Sequence, residues 1–319
     1  MSTRIRRRSA GSLSPSGGID PSPFSAFTFF STKPPMAGIS VGHEGTALKD
    51  IARKDTTNTM TTSPSPAADL LRLLAPAARI AVLTGAGMSA ESGIPTFRGA
   101  RNGLWARFDP QTLATPEAYR DDRALVWGWY CWRTALVEQA RPHAGHRALA
   151  ALEQSRPGVV VVTQNVDDLH ERAGSRDVVH LHGSLFAPRC FDCGRPHPHA
   201  AALPDAAQAP ALRVAPPACT HCGGPIRPGV VWFGEALPQA AWRRAEAALE
   251  TCDALLVVGT SGVVHPAAGL PELARRHGKP VVEINPQPSA LTPDVDAWWQ
   301  TTAAEGLPEL VAGLAGLRD

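Results

Sequence analysis

The segment Ile80-Ala-Val-Leu-Thr-Gly-Ala-Gly-Met-Ser-Ala-Glu-Ser-Gly-Ile-Pro-Thr-Phe-Arg98 joins a short apolar run to a glycine-rich turn. The run 80–84 predicts a buried strand, and Gly85-x-Gly87 directly after it allows a tight turn into a helix. Bare N–H groups at such a helix start can bind a pyrophosphate. The segment predicts a dinucleotide-binding turn, with a glycine turn that binds no nucleotide as the alternative.

Three further apolar runs, at residues 159–162, 254–258 and 281–284, alternate with stretches of helical periodicity. The stretch 68–74 predicts an amphipathic helix before the first strand. Short apolar strands that alternate with helices are typical of a parallel sheet covered on both faces. The expected fold is an α/β fold with an open, doubly wound parallel sheet of the Rossmann type.

Polar loops follow three of the four predicted strands. They are Gly85-Ala-Gly87, Thr163-Gln-Asn165 and Gly259-Thr-Ser261. Ligands of open α/β sheets bind beyond the carboxyl ends of the strands. We therefore expect the three loops to face one pocket.

The proposed domain organisation is one catalytic domain over residues 63–312 with a short tail, 313–319. Two insertions interrupt it, a tryptophan-rich helical region at about 100–150 and a cysteine-containing region at about 186–232. We expect both insertions to form a smaller second lobe.

Residues 1–62 are rich in Ser, Thr, Pro and Gly and show no useful periodicity. This composition predicts a disordered N-terminal extension, with Met60 as an alternative start of translation. The Arg-rich, acid-poor beginning resembles a mitochondrial transit peptide. The near-exclusive use of Arg over Lys after Lys54 favours a bacterial gene instead. We expect a cytoplasmic protein, and a mitochondrial one only if the extension is a genuine transit peptide.

Composition excludes two classes of protein. The 319 residues carry a net charge of +2 and 19% charged residues, unlike the dense positive field of a dedicated nucleic-acid binder. No apolar run approaches the roughly 20 residues that cross a bilayer. We therefore expect neither a direct nucleic-acid site nor a membrane partner.

Four of the six cysteines form two Cys-x-x-Cys pairs, Cys190 with Cys193 and Cys219 with Cys222. Four thiolates complete a tetrahedral Zn²⁺ site and leave no position open for water, so the predicted zinc is structural. A redox-active cysteine pair is the alternative.

Longer motifs, in order along residues 66–312, resemble those of the sirtuin family. They are Gly85 to Arg98, Thr163-Gln-Asn-Val-Asp-Asp-Leu-His170, His182-Gly-Ser184 ahead of Cys190, Val230-Val-Trp-Phe-Gly-Glu235, Gly259-Thr-Ser261 and Ile284-Asn285. A dehydrogenase is disfavoured because the acidic residue expected about 20 positions after the glycine turn has no clear counterpart.

The resemblance implies an NAD-dependent protein-lysine deacylase, with NAD as co-substrate. The acyl oxygen would attack the nicotinamide ribose and expel nicotinamide, and a base would then deprotonate a ribose hydroxyl, yielding lysine and O-acyl-ADP-ribose. His182 matches that base; an imidazole with a pKa near 6.5 is mostly neutral at neutral pH.

The resemblance also implies an NAD-binding set in which Asn165 and Asp167 lie near the nicotinamide. A helix N-cap is the alternative role for these two residues. The complete set is Gly85, Ala86, Gly87, Ser89, Glu91, Thr96, Phe97, Arg98, Gln164, Asn165, Asp167, Gly259, Thr260, Ser261, Asn285 and Ala303.

The helical segment 125–133 indicates which acyl group is removed. Tyr130 and Arg133 are three residues apart, so both project from one helical face, where a phenol and a guanidinium can bind one carboxylate. Within the sirtuin family, this Tyr-x-x-Arg pair resembles the one found in members that remove succinyl, malonyl or glutaryl groups. Packing with a solvated arginine is the alternative.

Residues 230–235 are expected to form the edge that pairs with the backbone of an acyl-lysine protein or peptide. The residues assigned to substrate are Tyr130, Arg133, Val230, Val231, Phe233 and Gly234. Two rival functions remain open, protein mono-ADP-ribosyl transfer on the same scaffold and a non-catalytic scaffold that senses NAD through a zinc-bearing fold.

Overall fold

The computed structural model describes residues 66–96, 113–198 and 213–317. The predicted disordered extension, residues 1–62, lies outside these ranges, as do Phe97 and Arg98.

The described chain contains a central sheet of parallel strands, as predicted. Its members are β1 (Arg79–Thr84), β2 (Gly158–Thr163), β3 (Val178–His180), β6 (Ala254–Val258), β7 (Val281–Ile284) and β8 (Ala297–Trp299). Their spatial order is β3-β2-β1-β6-β7-β8, and every neighbouring pair is parallel. The chain thus leaves β1 on one side for β2 and returns later on the other side as β6, as in a doubly wound fold.

Helices cover both faces of this sheet. They are α1 (Pro66–Leu74), α2 (Gly87–Ala90), α5 (Ala144–Ser155), α6 (Leu169–Ala173), α7 (Gln239–Thr251), α8 (Leu270–Arg276) and α9 (Ala303–Gly316). One apolar cluster joins α1, α5 and α9 to the sheet, and a second joins α7 and α8 to its other face. Each buried Val, Leu or Ile contributes about 1.5 to 3 kcal/mol, which makes the sheet a rigid base for the loops at its edge.

The strands β4 (Gly183–Cys190) and β5 (Ile226–Val230) form a separate antiparallel pair. Helices α3 (Pro116–Asp121) and α4 (Arg123–Gln139) precede them, and α4 packs against both strands. An aromatic cluster that includes Trp129, Tyr130 and Trp232 fills the interface. Within the described residues, these elements share one aromatic cluster that is distinct from the two clusters of the central sheet.

Two boundaries differ from the sequence predictions. The helical insertion was expected to reach about residue 150, but α5 packs on the sheet through Leu149 and Leu152, so the helical part of the second lobe ends at Gln139. The expected tail begins inside α9, which continues to Gly316. Within the ranges described, no helix is both long enough and apolar enough to span a membrane.

Candidate active site

The three polar loops meet at the carboxyl edge of the sheet. The Gly87 amide donates to the Gly259 carbonyl at 2.8 Å, and the Gln164 amide donates to the Thr84 carbonyl at 2.9 Å. The Gln164 side chain then donates to Thr260 Oγ1 at 3.0 Å. The loops after β1, β2 and β6 are therefore bonded to one another in pairs, at the place where ligands of such sheets bind.

The glycines of the first loop are needed for this contact between loops. A Cβ atom on Gly85 would lie 2.8 Å from the Thr260 Cα, and one on Gly87 would lie 2.7 Å from the Gly259 oxygen. Both distances are too short for any side chain to fit. Gly259 itself has a φ of 60°, a conformation that favours glycine. The glycine pattern thus has a packing reason in addition to the close approach of a dinucleotide inferred from sequence.

A chain of buried side chains connects the first and second loops. The Asn165 amide donates to Ser89 Oγ at 3.0 Å, and Ser89 Oγ donates to Asp167 Oδ2 at 3.0 Å. All three residues are buried. These hydrogen bonds determine the orientation of each polar group. The Ser89 hydroxyl donates its one hydrogen to the Asp167 carboxylate, so toward the Asn165 side-chain amide it can only accept.

Asp167 also partly fills the alternative role of helix capping. Its Oδ1 atom accepts from the Leu169 amide, the first of α6, at 3.2 Å, while the Asp168 carboxylate pairs with Arg172. Burial raises the pKa of Asp167 above its usual range. Each carboxylate oxygen accepts one hydrogen bond and has capacity for another, so Asp167 can still accept from a donor on a bound ligand.

His182 lies between β3 and β4, close to the second loop. Its Nδ1 atom is 2.9 Å from the Gln164 carbonyl oxygen. A carbonyl can only accept, so the ring proton sits on Nδ1 and the Nε2 lone pair is available to take a proton. Burial lowers the pKa of His182, with the carbonyl contact acting against that shift. His182 is therefore neutral at neutral pH, as a general base must be.

The remaining predicted NAD residues lie around the same edge. The Asn285 side chain donates to the Thr260 carbonyl at 2.8 Å, and the Ser261 carbonyl accepts from the Ala290 amide at 3.1 Å. Glu91 instead accepts from the Ala304 amide at 2.8 Å, next to the buried Ala303. These contacts bring the loop after β7 and the start of α9 to the edge that carries the glycine loop.

The predicted peptide-binding edge is only partly a strand. Regular pairing of β5 ends at Val230, opposite Gly183. The Val231 amide then donates to the His182 carbonyl at 2.8 Å, which ties this segment to the proposed base. The Phe233 amide donates to Ala114, and Phe233 is 42% exposed beside Gly234, whose φ is 85°.

Tyr130 and Arg133 lie on α4, and Tyr130 belongs to the aromatic cluster that also contains Val230 and Trp232. Tyr130 is buried, and its hydroxyl accepts from the Trp232 indole Nε1 at 3.0 Å. The Arg133 guanidinium carbon lies 5.0 Å from the centre of the Trp129 ring. Burial lowers the pKa of Arg133, but a guanidinium remains charged near neutral pH. The predicted pair is thus held by aromatic neighbours.

The four predicted zinc ligands converge at the end of the β4–β5 pair. Their sulfur atoms all lie within 4.8 Å of one another, with Cys190 3.5 Å from Cys222 and Cys193 3.8 Å from Cys219. Tetrahedral bonds of about 2.3 Å to zinc place sulfurs roughly 3.8 Å apart. The donor set fits one structural Zn²⁺, which would be held by these cysteines alone.

Two elements of the site were not predicted from sequence. Trp232 and Glu235 were predicted only as part of the edge at 230–235. The contact of the Glu235 carboxylate with the Trp232 amide and with Arg227 was not predicted. His143 donates from Nε2 to the Met88 carbonyl at 2.6 Å and accepts from the Gly145 amide at Nδ1, so it holds the residue of α2 that precedes Ser89. A polar residue just before a helix was the available signal for His143.

Comparisons with known proteins agree with this geometry. Residues 85–266 match the sequence profile of the Sir2 family. A Pseudomonas aeruginosa relative named NAD-dependent protein deacylase 1 is 57% identical over 243 residues, covering 76% of this chain and 96% of the relative. An NAD-dependent protein deacylase from Mycolicibacterium paratuberculosis is 56% identical over 239 residues, covering 75% of this chain and 99% of the relative.

The chain is also similar to solved structures of Sir2 proteins. A Sir2 homologue in complex with NAD shares 45% identity and a TM-score of 0.72, over 78% of this chain and 94% of that chain. A Sir2 protein bound to a myristoylated histone peptide shares 32% identity and a TM-score of 0.65, over 79% of this chain and 98% of that chain. With its doubly wound sheet, bonded loops, oriented histidine and four-cysteine cluster, the chain belongs to the Sir2 family, the sirtuins.

Proposed function

We propose that this sirtuin is an NAD-dependent protein-lysine deacylase that prefers acidic acyl groups, succinyl and malonyl, and also removes acetyl. The deacylase activity is supported by family membership and by relatives of 57% and 56% identity that bear this name. The acyl preference is carried by one observation: Tyr130 and Arg133 lie three residues apart on one face of α4, and Tyr130 contacts Trp232 of the segment that follows β5.

The reaction uses the loop edge for NAD and His182 as base. Asn165 and Asp167 would bind the nicotinamide end, because a buried amide and a buried carboxylate match the donors and acceptors of a carboxamide. The acyl oxygen would displace nicotinamide from the ribose, and the Nε2 atom of His182 would then take the proton of a ribose hydroxyl, which attacks the acyl carbon. The bond from that carbon to the lysine nitrogen breaks, and one water molecule supplies the oxygen that completes the ester. The products are lysine and O-acyl-ADP-ribose.

The acyl-lysine would enter beside Val231. A related Sir2 protein binds an acylated histone peptide, and the segment after Val230 offers backbone groups to an added strand. The link from the Val231 amide to the His182 carbonyl places that segment next to the base. A peptide bound there would present its acyl group between His182 and the aromatic cluster.

An acidic acyl group gains two contacts that an acetyl group does not. Burial raises the pKa of Tyr130 to about 12, so its phenol is a neutral donor at neutral pH. Arg133 adds a charged fork that matches a carboxylate. A charge-assisted hydrogen bond is worth about 1.5 to 3 kcal/mol, or roughly 10- to 150-fold in kcat/KM.

The test is to incubate the protein with NAD and matched acetyl-, malonyl- and succinyl-lysine peptides, and to quantify nicotinamide and O-acyl-ADP-ribose by mass spectrometry. Arg133→Met should lower kcat/KM for succinyl-lysine by about 10- to 150-fold and leave acetyl-lysine nearly unchanged. Arg276→Met, on the exposed side of α8, serves as the matched control and should change neither substrate.

Two outcomes would count against the proposal. Absence of nicotinamide release from every peptide would contradict the deacylase activity. An equal loss of acetyl and succinyl turnover in Arg133→Met would contradict the acyl preference.

A further inference from the structure

Trp232 makes a hydrogen bond that determines the direction of the Tyr130 hydroxyl. The indole Nε1 of Trp232 lies 3.0 Å from the Tyr130 oxygen. An indole nitrogen can only donate, so the phenol oxygen accepts here and its own proton must point elsewhere. Both rings are almost completely buried, with 1% of Trp232 and 4% of Tyr130 exposed, so water does not compete for this contact.

Trp232 has little freedom to release that hydrogen bond. The Arg227 guanidinium carbon lies 3.4 Å from the centre of its ring, and the Trp232 amide donates to Glu235 Oε2 at 2.8 Å. Glu235 in turn pairs with Arg227, which is itself buried. The Tyr119 ring packs at 5.3 Å on the indole. The stacked Arg227, the backbone hydrogen bond to Glu235 and the Tyr119 ring therefore all restrain the Trp232 indole, which donates to the Tyr130 phenol.

The phenolic proton of Tyr130 has no acceptor among the residues that the structure describes. Across the ranges that the structure describes, the Tyr130 hydroxyl accepts from Trp232 and donates to no protein group. Burial raises the pKa of Tyr130 to about 12, so the proton is retained at any ordinary assay pH. Arg133, one turn further along α4, brings a positive charge to the same face of the helix.

We propose that Trp232 is a positioning residue for acyl selectivity, which orients the Tyr130 hydroxyl so that its proton is donated to the carboxylate of an acidic acyl group. Trp232 itself does not contact the acyl group. This inference rests on the acidic-acyl preference proposed above. The hydrogen bond from Trp232 to Tyr130 connects the proposed peptide-binding segment to α4. Acyl selectivity would then depend on Trp232 as well as on Tyr130 and Arg133.

The experiment compares succinyl- and acetyl-lysine peptides with Trp232→Phe, which keeps an aromatic ring and removes the N–H donor. We expect kcat/KM for succinyl-lysine to fall about threefold to tenfold through a higher KM, in line with the loss of one neutral hydrogen bond. Turnover of acetyl-lysine should fall less than that of succinyl-lysine, since an acetyl group offers no carboxylate to Tyr130, so the succinyl-to-acetyl ratio should decrease. The ratio of the two activities in one preparation cancels any loss of folded enzyme.

A double-mutant cycle tests whether Trp232 acts through the phenol. Tyr130→Phe removes the hydroxyl, so adding Trp232→Phe to it should cause no further change in the succinyl-to-acetyl ratio. Trp127→Phe, another tryptophan of the same aromatic cluster, is the matched control and should leave the ratio unchanged.

The outcomes separate this inference from the proposed function. An equal loss of both activities in Trp232→Phe, or a full selective effect that persists in the Tyr130→Phe background, would overturn the role of Trp232 while leaving the acyl preference intact. A wild-type enzyme with no preference for succinyl-lysine, and with no selective effect of Arg133→Met, would overturn both.

Discussion

The edge of the sheet that carries the three polar loops is proposed to bind NAD (the NAD edge), and the part of α4 with Tyr130 and Arg133 is proposed to bind the acyl group (the acyl end). These two regions are built by different means. At the NAD edge, buried polar groups such as Ser89, Asn165 and Asp167 are linked by hydrogen bonds of 3.0 Å on loops that follow rigid strands. At the acyl end, Tyr130 and Arg133 lie on a helix, and they contact the rings of Trp232 and Trp129 respectively. A connected polar network favours one arrangement of its groups. Under the proposed acyl preference, the phenol and the guanidinium would instead distinguish acyl groups by their charge.

From this comparison we expect reaction and acyl selectivity to be separable in this chain. Changes at the NAD edge should affect every acyl substrate alike, and changes on α4 or at Trp232 should affect acidic acyl groups only. Variants at the NAD edge test whether all acyl substrates are affected alike. Arg133→Met and Trp232→Phe test whether acidic acyl groups are affected selectively.

Replacing the base should have the largest effect. His182→Ala removes the Nε2 lone pair that takes the ribose proton, so we expect kcat/KM to fall about 10²- to 10⁴-fold for acetyl- and succinyl-lysine alike. O-acyl-ADP-ribose formation measured by mass spectrometry checks this. The control is His277→Ala, at the exposed end of α8, which should keep full activity. A loss confined to one acyl substrate would mean that His182 belongs to the acyl end instead.

Breaking the polar network should have a smaller effect. Ser89→Ala leaves the buried Asn165 amide and one Asp167 oxygen without their shared partner, at a cost of about 1 to 3 kcal/mol, or roughly 5- to 150-fold. We expect a higher KM for NAD with the succinyl-to-acetyl ratio unchanged, as measured by steady-state kinetics at varied NAD. Ser92→Ala, whose hydroxyl donates to the Arg141 carbonyl, is the neighbouring control. A changed acyl ratio in Ser89→Ala would show that the two regions are coupled.

The smallest expected effect is on the pH profile of kcat/KM, whose acid limb should be displaced to lower pH. A general base acts only when unprotonated, so kcat/KM falls as pH drops through the pKa of His182. Because burial lowers that pKa below 6.5, the midpoint of the acid limb should lie below pH 6.5. A pH profile with acetyl- and succinyl-lysine peptides should give the same midpoint for both. A midpoint above pH 6.5 would contradict the orientation and burial assigned to His182.

Most of the sheet could be predicted from sequence because buried strands carry a strong local signal. The apolar runs at 80–84, 159–162, 254–258 and 281–284 coincide with β1, β2, β6 and β7. The strands β3 and β8 were not predicted, because three residues at either edge of the sheet carry too little pattern. The convergence of three loops on one edge also followed from sequence, since the carboxyl ends of parallel strands lie together.

The sequence by itself determined the fold class, the family, the proposed base and the four cysteines, because each depends on residue type and spacing along the chain. Only the tertiary structure decided which nitrogen of His182 carries the proton, how Ser89 joins Asn165 to Asp167, and where the Tyr130 hydroxyl points. Those properties depend on hydrogen bonds between residues far apart in sequence, such as Tyr130 and Trp232. The direction of a proton depends on which partner folding brings to it, and no local pattern specifies that partner.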